Sequence, residues 1–442
     1  MSEPKIVIAT FGSLGDLNPY VALAHALRRE GFSPVLATSE TYRAFVEGEG
    51  LGFAPMRPDP SDVTGRLGLG VAEIADRVAS DGGFLFRETI FPFLREAYED
   101  VAAASEGAAA IVAHSIAFSA KIAAERLGLP LFDGVVSPMF LMSAQDPPLV
   151  AGAPLVPAPR SSAARAYNRC VLSALIHLAA LQARPIARLR AELGLPRRRG
   201  RALLTGGPSA RATLVLASPL LAPPQSDHPP NTLVAGHTFH DRFLGGVQAL
   251  PPGLETFLAA GAPPLVVSLG SFVLGGKAEF HRAAAAAALA LGRRAVLLVA
   301  EEEREGLAAG LPPGVLVAGH VPHSLLFPRA CAILHHGGAG SSGQALRAGK
   351  PQLVLPVLGD QGDNAARLAR LGAARVLPMS RATRGALAEL RALLADASLA
   401  ERARRVGERV AQEDGAARAA LRIAECLDSG GLGASKNFAA AR

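Results

Sequence analysis

The chain has 442 residues, of which 50% are hydrophobic and 19% charged, and its formal net charge is +7. This composition excludes a disordered chain, and the length is sufficient for two α/β domains. The positive charge comes almost wholly from arginine, with no tryptophan and no basic stretch interleaved with aromatic residues. We therefore attribute the excess charge to coding bias and exclude nucleic-acid recognition.

Cysteine usage and the N-terminal sequence favour a cytoplasmic protein. The three cysteines lie far apart and match neither a disulfide framework nor a metal-ligand spacing. The N-terminus, MSEPKIVIATFGS, has an acidic residue directly before a strand-like run, which is not the pattern of a signal peptide. The longest apolar run, residues 170–183, is shorter than the ~20 residues of a membrane span. Peripheral contact with the inner face of the membrane stays open.

Apolar strands alternate with helices along the first half of the chain. Residues 5–10 predict a buried parallel strand, residues 11–18 a glycine-bearing loop, and residues 19–30 a helix that begins at Pro19. Further strands are predicted at residues 33–38, 109–113, 131–135, 214–217 and 232–235, with a helix at 118–127. This alternation predicts a doubly wound parallel sheet.

A second alternating set follows a linker placed around residues 236–252. Strands are predicted at residues 264–269, 295–299, 315–318, 332–334 and 352–355, and helices at 278–291 and, as one long charged helix, at 398–427. The predicted organisation is therefore an N-terminal domain of residues 1–240 and a C-terminal domain of residues 241–428. The Gly/Ala/Ser-rich residues 429–442 are predicted to be a disordered tail.

The most informative stretch lies within the second set, at residues 333–364. An apolar strand ends in His335 and His336, a glycine-rich turn and a helix follow, and the next strand leads to Asp360 and Gln361. Glycines allow the backbone to approach a ligand closely, and unpaired amides at a helix N-terminus attract anions. The pattern predicts a seat for a phosphate or diphosphate. The alternative is an ordinary strand–helix turn with glycines chosen for tightness.

The run HHGGAGSS followed by GDQGDNAARL resembles the donor-binding signature of the nucleotide-sugar glycosyltransferases with the GT-B fold. The resemblance covers nearly the whole chain. The chain resembles UDP-glycosyltransferase family 1, in particular the bacterial rhamnosyltransferase chain of rhamnolipid synthesis and antibiotic and sterol glycosyltransferases. It implies two facing Rossmann-like domains with a cleft between them. The N-terminal domain would bind the acceptor and the C-terminal domain the donor, with the last helix crossing back to the first domain.

The resemblance also implies roles for particular residues. His336 matches the diphosphate-binding histidine, Gln344 stands where many relatives carry a ribose-binding glutamate, and Asp360 with Gln361 matches the sugar-binding pair. The complete set of implied donor-binding positions is Gly15, Ser271, His320, Val321, His336, Gly338, Gly340, Ser341, Gln344, Asp360 and Gln361. Within this set, the segment around His320 and Val321 resembles the one that walls the base pocket. No metal and no other cofactor is expected, because these relatives need none and the donor region lacks a DxD-type carboxylate pair.

Asp16 and His114 are the candidate catalytic residues. Asp16 follows the first strand, at the edge where parallel sheets place ligands, and matches a position that is histidine or aspartate in the resembled enzymes. The alternative is that Asp16 caps the helix predicted to start near Pro19. His114 ends a later strand and is a candidate partner of Asp16; the alternative is a hydrogen-bonded histidine at a strand end. His240, His323 and His335 receive no catalytic role.

We therefore expect an inverting, metal-independent glycosyltransferase. The expected donor is a nucleotide diphosphate sugar of the dTDP-rhamnose or UDP-glucose type. The expected acceptor is a hydroxyl of a hydrophobic or lipid-like molecule, because phenylalanine and methionine are frequent in the N-terminal segments that form acceptor pockets in the resembled family. Two alternatives remain, a nucleotide-sugar epimerase and a non-catalytic helper of a true transferase. The sequence also leaves open whether the chain binds a helper protein or a second copy of itself.

Overall fold

The computed structural model describes residues 3–150, 152–204, 210–241, 249–270 and 277–429. Its first half is a parallel sheet flanked by helices. The strands are β1 Lys5–Ala9, β2 Ser33–Thr38, β3 Gly52–Pro55, β4 Ala108–His114, β5 Leu131–Val135, β6 Ala210–Val215 and β7 Thr232–Val234. The helices are α1 Leu14–Arg29, α2 Arg43–Gly48, α3 Pro60–Leu67, α4 Val71–Ser80, α5 Gly82–Phe84, α6 Leu94–Ala104, α7 Phe118–Leu127, α8 Ser162–Gln182, α9 Arg184–Glu192 and α10 Arg201–Leu204. Shorter turns are the π-helical Leu85–Ile90 and the 3₁₀ turns Glu40–Tyr42, Phe91–Phe93 and Pro138–Leu141.

The second half repeats this architecture. Its strands are β8 Leu265–Ser268, β9 Ala295–Leu298, β10 Val315–Ala318, β11 Ala332–His335, β12 Gln352–Val354 and β13 Ala374–Val376. Its helices are α11 Pro252–Ala259, α12 Lys277–Ala290, α13 Glu301–Ala308, α14 His323–Leu326, α15 Ala339–Arg347, α16 Gln361–Arg370, α17 Ala382–Ala395, α18 Ala397–Val410 and α19 Gly415–Ser429. Short 3₁₀ turns lie at Phe327–Arg329 and Met379–Arg381.

Strand order places one reversal point in the middle of each sheet. The first sheet has the order β3-β2-β1-β4-β5-β6-β7 and the second β10-β9-β8-β11-β12-β13, with every pairing parallel. The chain order reverses between β1 and β4 in the first sheet and between β8 and β11 in the second. Ligands of open α/β sheets bind outside the carboxyl ends of strands at such points. The predicted doubly wound α/β class with two Rossmann-like domains is thereby confirmed.

The last helix packs against the N-terminal domain rather than against the domain that precedes it in sequence. Ala419 and Ile423 are fully buried in the same hydrophobic cluster as Leu23 and Leu27 of α1. The Arg418 guanidinium donates to the carbonyl oxygen of Ala235 at 2.8 Å. The expectation that the last helix crosses back is confirmed.

Two predicted helices have different limits in the structure. The first begins at Leu14 rather than at Pro19, because Ser13 is its N-cap and forms a capping box with Asp16. The predicted helix at 398–427 is two helices, α18 and α19, separated at residues 411–414. Ser429, assigned to the tail, is the last residue of α19, and residues 430–442 lie outside the described part of the chain.

A search of the described residues for membrane-spanning helices finds none that suffices by itself. One bent pair, α8 with α9, meets the length and composition test only when the two helices are joined, across a 58° break. The break directly precedes α9, which carries Pro185 in its first turn.

Candidate active site

The turn between β11 and α15 presents the amides of a helix N-terminus. Gly337 has a φ of +90°, and a Cβ at this position would lie 3.0 Å from the Gln361 carbonyl oxygen, so only glycine fits. Asn364 Nδ2 donates to the Gly337 carbonyl oxygen at 3.0 Å and fixes the turn. Gly338 is the N-cap of α15 and offers no side chain to the first amides of the helix. These amides and the helix dipole together form a site for an anionic group.

The two adjacent histidines have different environments. His335 is fully buried, and both of its ring nitrogens are engaged: Gly337 N–H donates to Nδ1 at 3.1 Å, and Nε2 lies 2.9 Å from Gln352 Oε1. Burial lowers the pKa of His335 to about 3, so its ring is a neutral structural support. His336 is only half-buried. Of the pair, His336 is the histidine that remains accessible to a ligand.

Two glycines make room for the His336 ring. A Cβ at Gly270 would lie 2.6 Å from His336 Cε1, and a Cβ at Gly338 would overlap His336 Nε2. The ring therefore lies between the loop after β8 and the N-terminus of α15, which is where a donor phosphate is expected. Ser271, the other predicted residue of the β8 loop, lies outside the described residues.

Gln344 and Ser341 lie on the first turns of α15. Ser341 is half-buried and Gly340 is partly exposed, as residues that contact phosphate require. The Gln344 side chain is 6% exposed, and its Oε1 atom has no hydrogen-bond partner among the described residues. A buried amide oxygen without a partner costs free energy unless a ligand satisfies it. This orphaned oxygen is consistent with the predicted bond to a ribose hydroxyl.

Asp360 and Gln361 stand at the start of α16, but their side chains are used differently. Asp360 Oδ2 accepts from Asn364 Nδ2 at 2.9 Å, and burial raises the pKa of its carboxyl above the ordinary value, although the neighbouring Ser137 and Asn364 side chains oppose this. The Gln361 Oε1 atom accepts from the Val357 and Leu358 amides at 2.9 and 3.1 Å. Gln361 thus braces the loop, and only its amide nitrogen is left to contact a sugar.

The predicted base segment precedes and includes α14. The Val321 side chain is 2% exposed and packs in the core, so only its backbone can contact a base. The His320 ring is exposed and lies 6.4 Å from the His323 ring, with 29° between the planes. His323 in turn stacks on Phe327, with centroids 4.2 Å apart. The segment therefore offers one exposed ring, that of His320, close to the end of β10, and the buried Phe327 supports His323 beneath it.

Asp16 is the third residue of α1 and faces the cleft. Its Oδ2 atom accepts hydrogen bonds from the Ser13 amide at 2.9 Å and from the Ser13 hydroxyl at 3.1 Å. The side chain is still 36% exposed, so it is accessible although protein atoms surround it. Burial raises the pKa of Asp16 to about 6, and the nearby negative charge of Asp360 adds to the rise. The carboxyl both closes a capping box and is poised to accept a proton near neutral pH.

His114 ends β4 opposite Asp16. Its Nδ1 accepts from the Ile116 amide at 3.3 Å, so the neutral ring carries its proton on Nε2. Nε2 lies 3.8 Å from Asp16 Oδ1, which is longer than a hydrogen bond. Burial, aided by the Lys121 charge, lowers the pKa of His114 to about 3. His114 is therefore a neutral N–H donor directed at Asp16 across a gap, and the predicted juxtaposition is observed without a direct hydrogen bond.

The two domains meet at the N-termini of their first cleft-facing helices. A Cβ on Gly340 of α15 would lie 3.9 Å from Gly15 Cα of α1. Asp16 and Asp360 are close enough for the charge of Asp360 to raise the pKa of Asp16. The structure thus brings Gly15, Asp16 and Asp360 together from both domains.

Buried ion pairs hold this juxtaposition. Arg367 of α16 pairs with Asp146 of the N-terminal domain and, at 2.7 Å, with Asp363. The Leu149 amide donates to Asp363 Oδ1 at 2.8 Å. Nothing in the spacing of Asp146 and Arg367 along the sequence indicates that they meet, so this contact was not predicted.

Asn364 and Ser13 are two further residues that sequence reasoning missed. Asn364 follows Asp360 by four positions, which puts both side chains on one face of α16, and this helical spacing could have indicated their contact. Ser13 and Asp16 have the S-x-x-D spacing of a capping box, which could have placed the start of α1 correctly.

Comparisons with known proteins find matches to both halves of the chain. Residues 6–144 match the model of the glycosyltransferase family 28 N-terminal domain, and residues 284–425 match that of the erythromycin biosynthesis protein CIII-like C-terminal domain. The chain is 32% identical to the O-mycaminosyltylonolide 6-deoxyallosyltransferase of Streptomyces fradiae, over 96% of this chain and 98% of that protein. It is 27% identical to the sterol 3-beta-glucosyltransferase of Candida albicans over 93% of its own length, but spans only 27% of that protein.

A solved structure shows the same fold. The spinosyn rhamnosyltransferase SpnG complexed with thymidine diphosphate superimposes with a TM-score of 0.64 at 22% identity, covering 96% of this chain and 100% of SpnG. The chain belongs to the GT-B glycosyltransferases of the family 1 and 28 type, and it is a nucleotide-sugar-dependent transferase.

Proposed function

We propose that this protein is an inverting, metal-independent glycosyltransferase that moves a hexose or deoxyhexose to a hydroxyl of a hydrophobic small molecule or lipid-like acceptor. One observation carries the proposal. Asp16, a cleft-facing carboxyl whose pKa is raised to about 6, stands at one helix N-terminus and faces a second, anion-attracting helix N-terminus. A base and a diphosphate site on opposite walls of one cleft are what glycosyl transfer requires.

The reaction follows from this arrangement. Asp16 accepts the proton of the acceptor hydroxyl as the hydroxyl oxygen attacks C1 of the donor sugar, and the C1–O bond to the diphosphate breaks. The leaving diphosphate carries away the electron pair of that bond. The amides at the start of α15, with His336, stabilise the charge that it gains. Attack from the side opposite the leaving group inverts the configuration at C1.

The donor is proposed to be a deoxythymidine- or uridine-linked sugar, of the dTDP-rhamnose or UDP-glucose type. One comparison favours the deoxysugar form, because the S. fradiae relative is named as a 6-deoxyallosyltransferase. Gln344, a neutral amide where the resembled enzymes carry a carboxylate, still offers a buried acceptor to a ribose hydroxyl.

The acceptor is proposed to be apolar, of the antibiotic or sterol class that the relatives' names indicate. Three phenylalanine rings, Phe86, Phe91 and Phe118, cluster with centroids 6.1–6.4 Å apart in the N-terminal domain. Phe11, on the loop that leads to Asp16, packs against the same cluster. A cluster of aromatic side chains suits a polyketide-like or sterol-like ring system, and Arg57 is, of the described residues, the one charged residue beside Phe11 and Phe118 in the cavity that they line.

Peripheral contact with a membrane is part of the proposal for a lipid-like acceptor. Helix α8 exposes apolar side chains, with Leu178 56% and Leu181 48% exposed. Co-sedimentation with anionic vesicles would measure this contact, and Leu178→Ser with Leu181→Ser should abolish it.

The test of the function has two stages. A thermal-shift panel of nucleoside diphosphates and their sugars identifies the donor, since a ligand at a hundred times its Kd stabilises by ~2.7 kcal/mol. Transfer to candidate aglycones is then followed, and NMR of the product gives the anomeric configuration. Retained configuration would refute inversion, and turnover that depends on added Mg²⁺ or Mn²⁺ would refute metal independence.

The same assays separate the alternatives. An epimerase converts the donor sugar in the absence of acceptor, which NMR of the donor would detect. A non-catalytic helper shows neither transfer nor slow hydrolysis of the donor by itself.

A further inference from the structure

A cluster of two histidines and one glutamate lies outside the donor and acceptor sites. His25 belongs to the second half of α1, Glu49 is the C-cap residue of α2, and His240 lies beyond β7 in the segment that leads to the C-terminal domain. His25 Nε2 lies 2.9 Å from Glu49 Oε2, and His240 Nε2 lies 3.5 Å from Glu49 Oε1. Ligand atoms of the three side chains all lie within 4.8 Å of one another. Three separate segments thus converge on one point.

These distances are close to those of a coordination shell. Tetrahedral zinc with bonds of ~2.0–2.2 Å to nitrogen and oxygen separates neighbouring ligand atoms by roughly 3.3–3.6 Å. His240 Nε2 already lies at this separation from one Glu49 oxygen, Oε1. His25 Nε2 lies closer, at 2.9 Å, to the other oxygen, Oε2, so the cluster has to open slightly and the carboxylate has to turn to admit an ion. Imidazole nitrogen and carboxylate oxygen are the ligands that first-row divalent metals accept.

Burial favours a cation over a simple ion pair. The Glu49 and His240 side chains are 9% and 7% exposed, whereas His25 is 29% exposed and leaves the cluster open on one side. The two imidazole rings stack with centroids 5.7 Å apart, so two imidazolium charges there would repel each other. A divalent ion avoids this repulsion, since it binds both rings in their neutral form and balances the buried carboxylate. The Phe45 ring packs edge-on against His240 and supplies an apolar wall.

We propose that His25, Glu49 and His240 bind a divalent transition-metal ion of the Zn²⁺ class, with water as the fourth ligand. The site has a structural role, because His25 lies nine residues beyond Asp16 and therefore about 13 Å away along α1. The proposed transfer reaction itself does not use this metal.

The metal fixes the segment that crosses between the domains. Asp241, directly after His240, accepts from the Ser324 amide at 2.6 Å and from the Ser324 hydroxyl at 3.2 Å at the start of α14. Since α14 is part of the predicted base segment, a metal on His240 ties that wall of the donor site to α1 and α2.

The experiment uses full-length protein whose affinity tag has been removed, stripped with EDTA and dialysed. Calorimetric titration with Zn²⁺ should show one site per chain, and elemental analysis after gel filtration should recover one equivalent of zinc. Co²⁺ should give the intense visible absorption of a tetrahedral centre. Each of the single variants His25→Ala, Glu49→Gln and His240→Ala should weaken Zn²⁺ binding at least ~100-fold, which exceeds the roughly 10-fold minimum cost of losing an outer-shell partner.

The matched control is His177→Ala, which removes an exposed histidine of α8 and should bind Zn²⁺ as the unaltered chain does. Circular dichroism establishes that each variant is folded. If His240→Ala does not fold, the test uses His25→Ala, because His25 is the most exposed of the three residues. Absence of a stoichiometric site, or equal Zn²⁺ affinity in His25→Ala, Glu49→Gln and the control, would overturn the proposal.

Discussion

Replacement of Asp16 by asparagine separates its catalytic role from its capping role. The asparagine side chain keeps an oxygen that can accept from the Ser13 amide, as Asp16 Oδ2 does at 2.9 Å, so the reciprocal hydrogen bond of the capping box can still form. The amide cannot take a proton from an acceptor hydroxyl. We therefore expect α1 and donor binding to be nearly unchanged in Asp16→Asn while transfer falls by ~100-fold or more.

The pH dependence gives this prediction a second readout. Because the pKa of Asp16 is raised to about 6, kcat/KM of the unaltered enzyme should fall as the pH drops below 6. At pH 5 about one tenth of such carboxyls are ionised, so the rate should be about tenfold below its plateau. Because the pKa of His114 is lowered to about 3, titration of His114 does not change the rate in this pH range. The residual kcat/KM of Asp16→Asn should not fall as the pH drops below 6, so its pH–rate profile should lack the acidic limb near pH 6.

Stability should change in the opposite direction to activity. The pKa of Asp16 rises from 3.8 in the unfolded chain to about 6 in the fold, so the protonated form favours folding and its contribution is lost as the pH rises through 6. Asp16→Asn should therefore have a Tm at pH 8 equal to or above that of the unaltered enzyme. This difference should vanish below pH 4.

The matched control is Asp62→Asn. Asp62 occupies the same position in the capping box of α3, where its Oδ2 accepts from the Asp59 amide at 2.9 Å, but no role in transfer is assigned to it. Transfer should be unaffected in this variant. Asp16→Asn with kcat/KM close to the unaltered value, and with the limb near pH 6 retained, would refute the assignment of the base.

Three further substitutions test the donor side. His336→Ala should cut turnover on the order of a hundredfold by removing a donor at the developing diphosphate charge, and a near-normal kcat/KM would remove His336 from that role. Asp360→Asn should weaken binding of the intact sugar nucleotide by roughly 1.5–3 kcal/mol, while binding of the free nucleoside diphosphate, measured by calorimetry, stays unchanged. The same variant should lower the pKa of Asp16, because the negative charge that raises this pKa is gone. Gln344→Leu should leave the Tm of the free protein unchanged or raise it, since a buried oxygen without a partner is removed. Binding of the nucleoside diphosphate should weaken by roughly 1–3 kcal/mol. A lower Tm with normal binding would show that Gln344 has a structural role.

The parts of the fold that were predictable are those in which short-range pattern and burial agree. The predicted limits of β2, β5, β10 and α7 equal the observed ones, since each is an apolar run or an amphipathic segment with clear ends. The short strands β3 and β13 were missed, because each of them has only three or four residues at the edge of its sheet and little apolar character.

The start of α1 shows a conflict between two local signals. Proline favours the first position of a helix, so Pro19 indicated a start there. The capping box of Ser13 and Asp16 satisfies the first amides instead, and the helix accommodates Pro19 in its second turn. The hydrogen-bonded cap, rather than the positional preference of proline, thus determines where α1 begins. The error mattered, because it left Asp16 in a loop rather than at a helix N-terminus.

The candidate site was predictable on the donor side and only partly across the cleft. A single stretch of sequence carries His336, Gln344 and Asp360, so spacing alone groups them. Contacts between distant segments, such as that of Asp146 with Arg367 or the cluster around Glu49, leave no spacing signature. They become visible only when the sheets and α19 fix the two domains against each other.

The charges of the cleft explain how a base and an anionic leaving group can share it in the proposed reaction. Asp16 lies at the positive end of α1, which favours its charged form, yet burial dominates and raises its pKa to about 6. The carboxylate is therefore ionised at neutral pH and still basic enough to draw a proton from an alcohol under attack. On the facing wall, the N-terminus of α15 attracts the second anion, and its attraction grows as the diphosphate gains charge. Two helix N-termini that meet at Gly15 and Gly340 can thus keep two negative groups in one cleft without a metal ion between them.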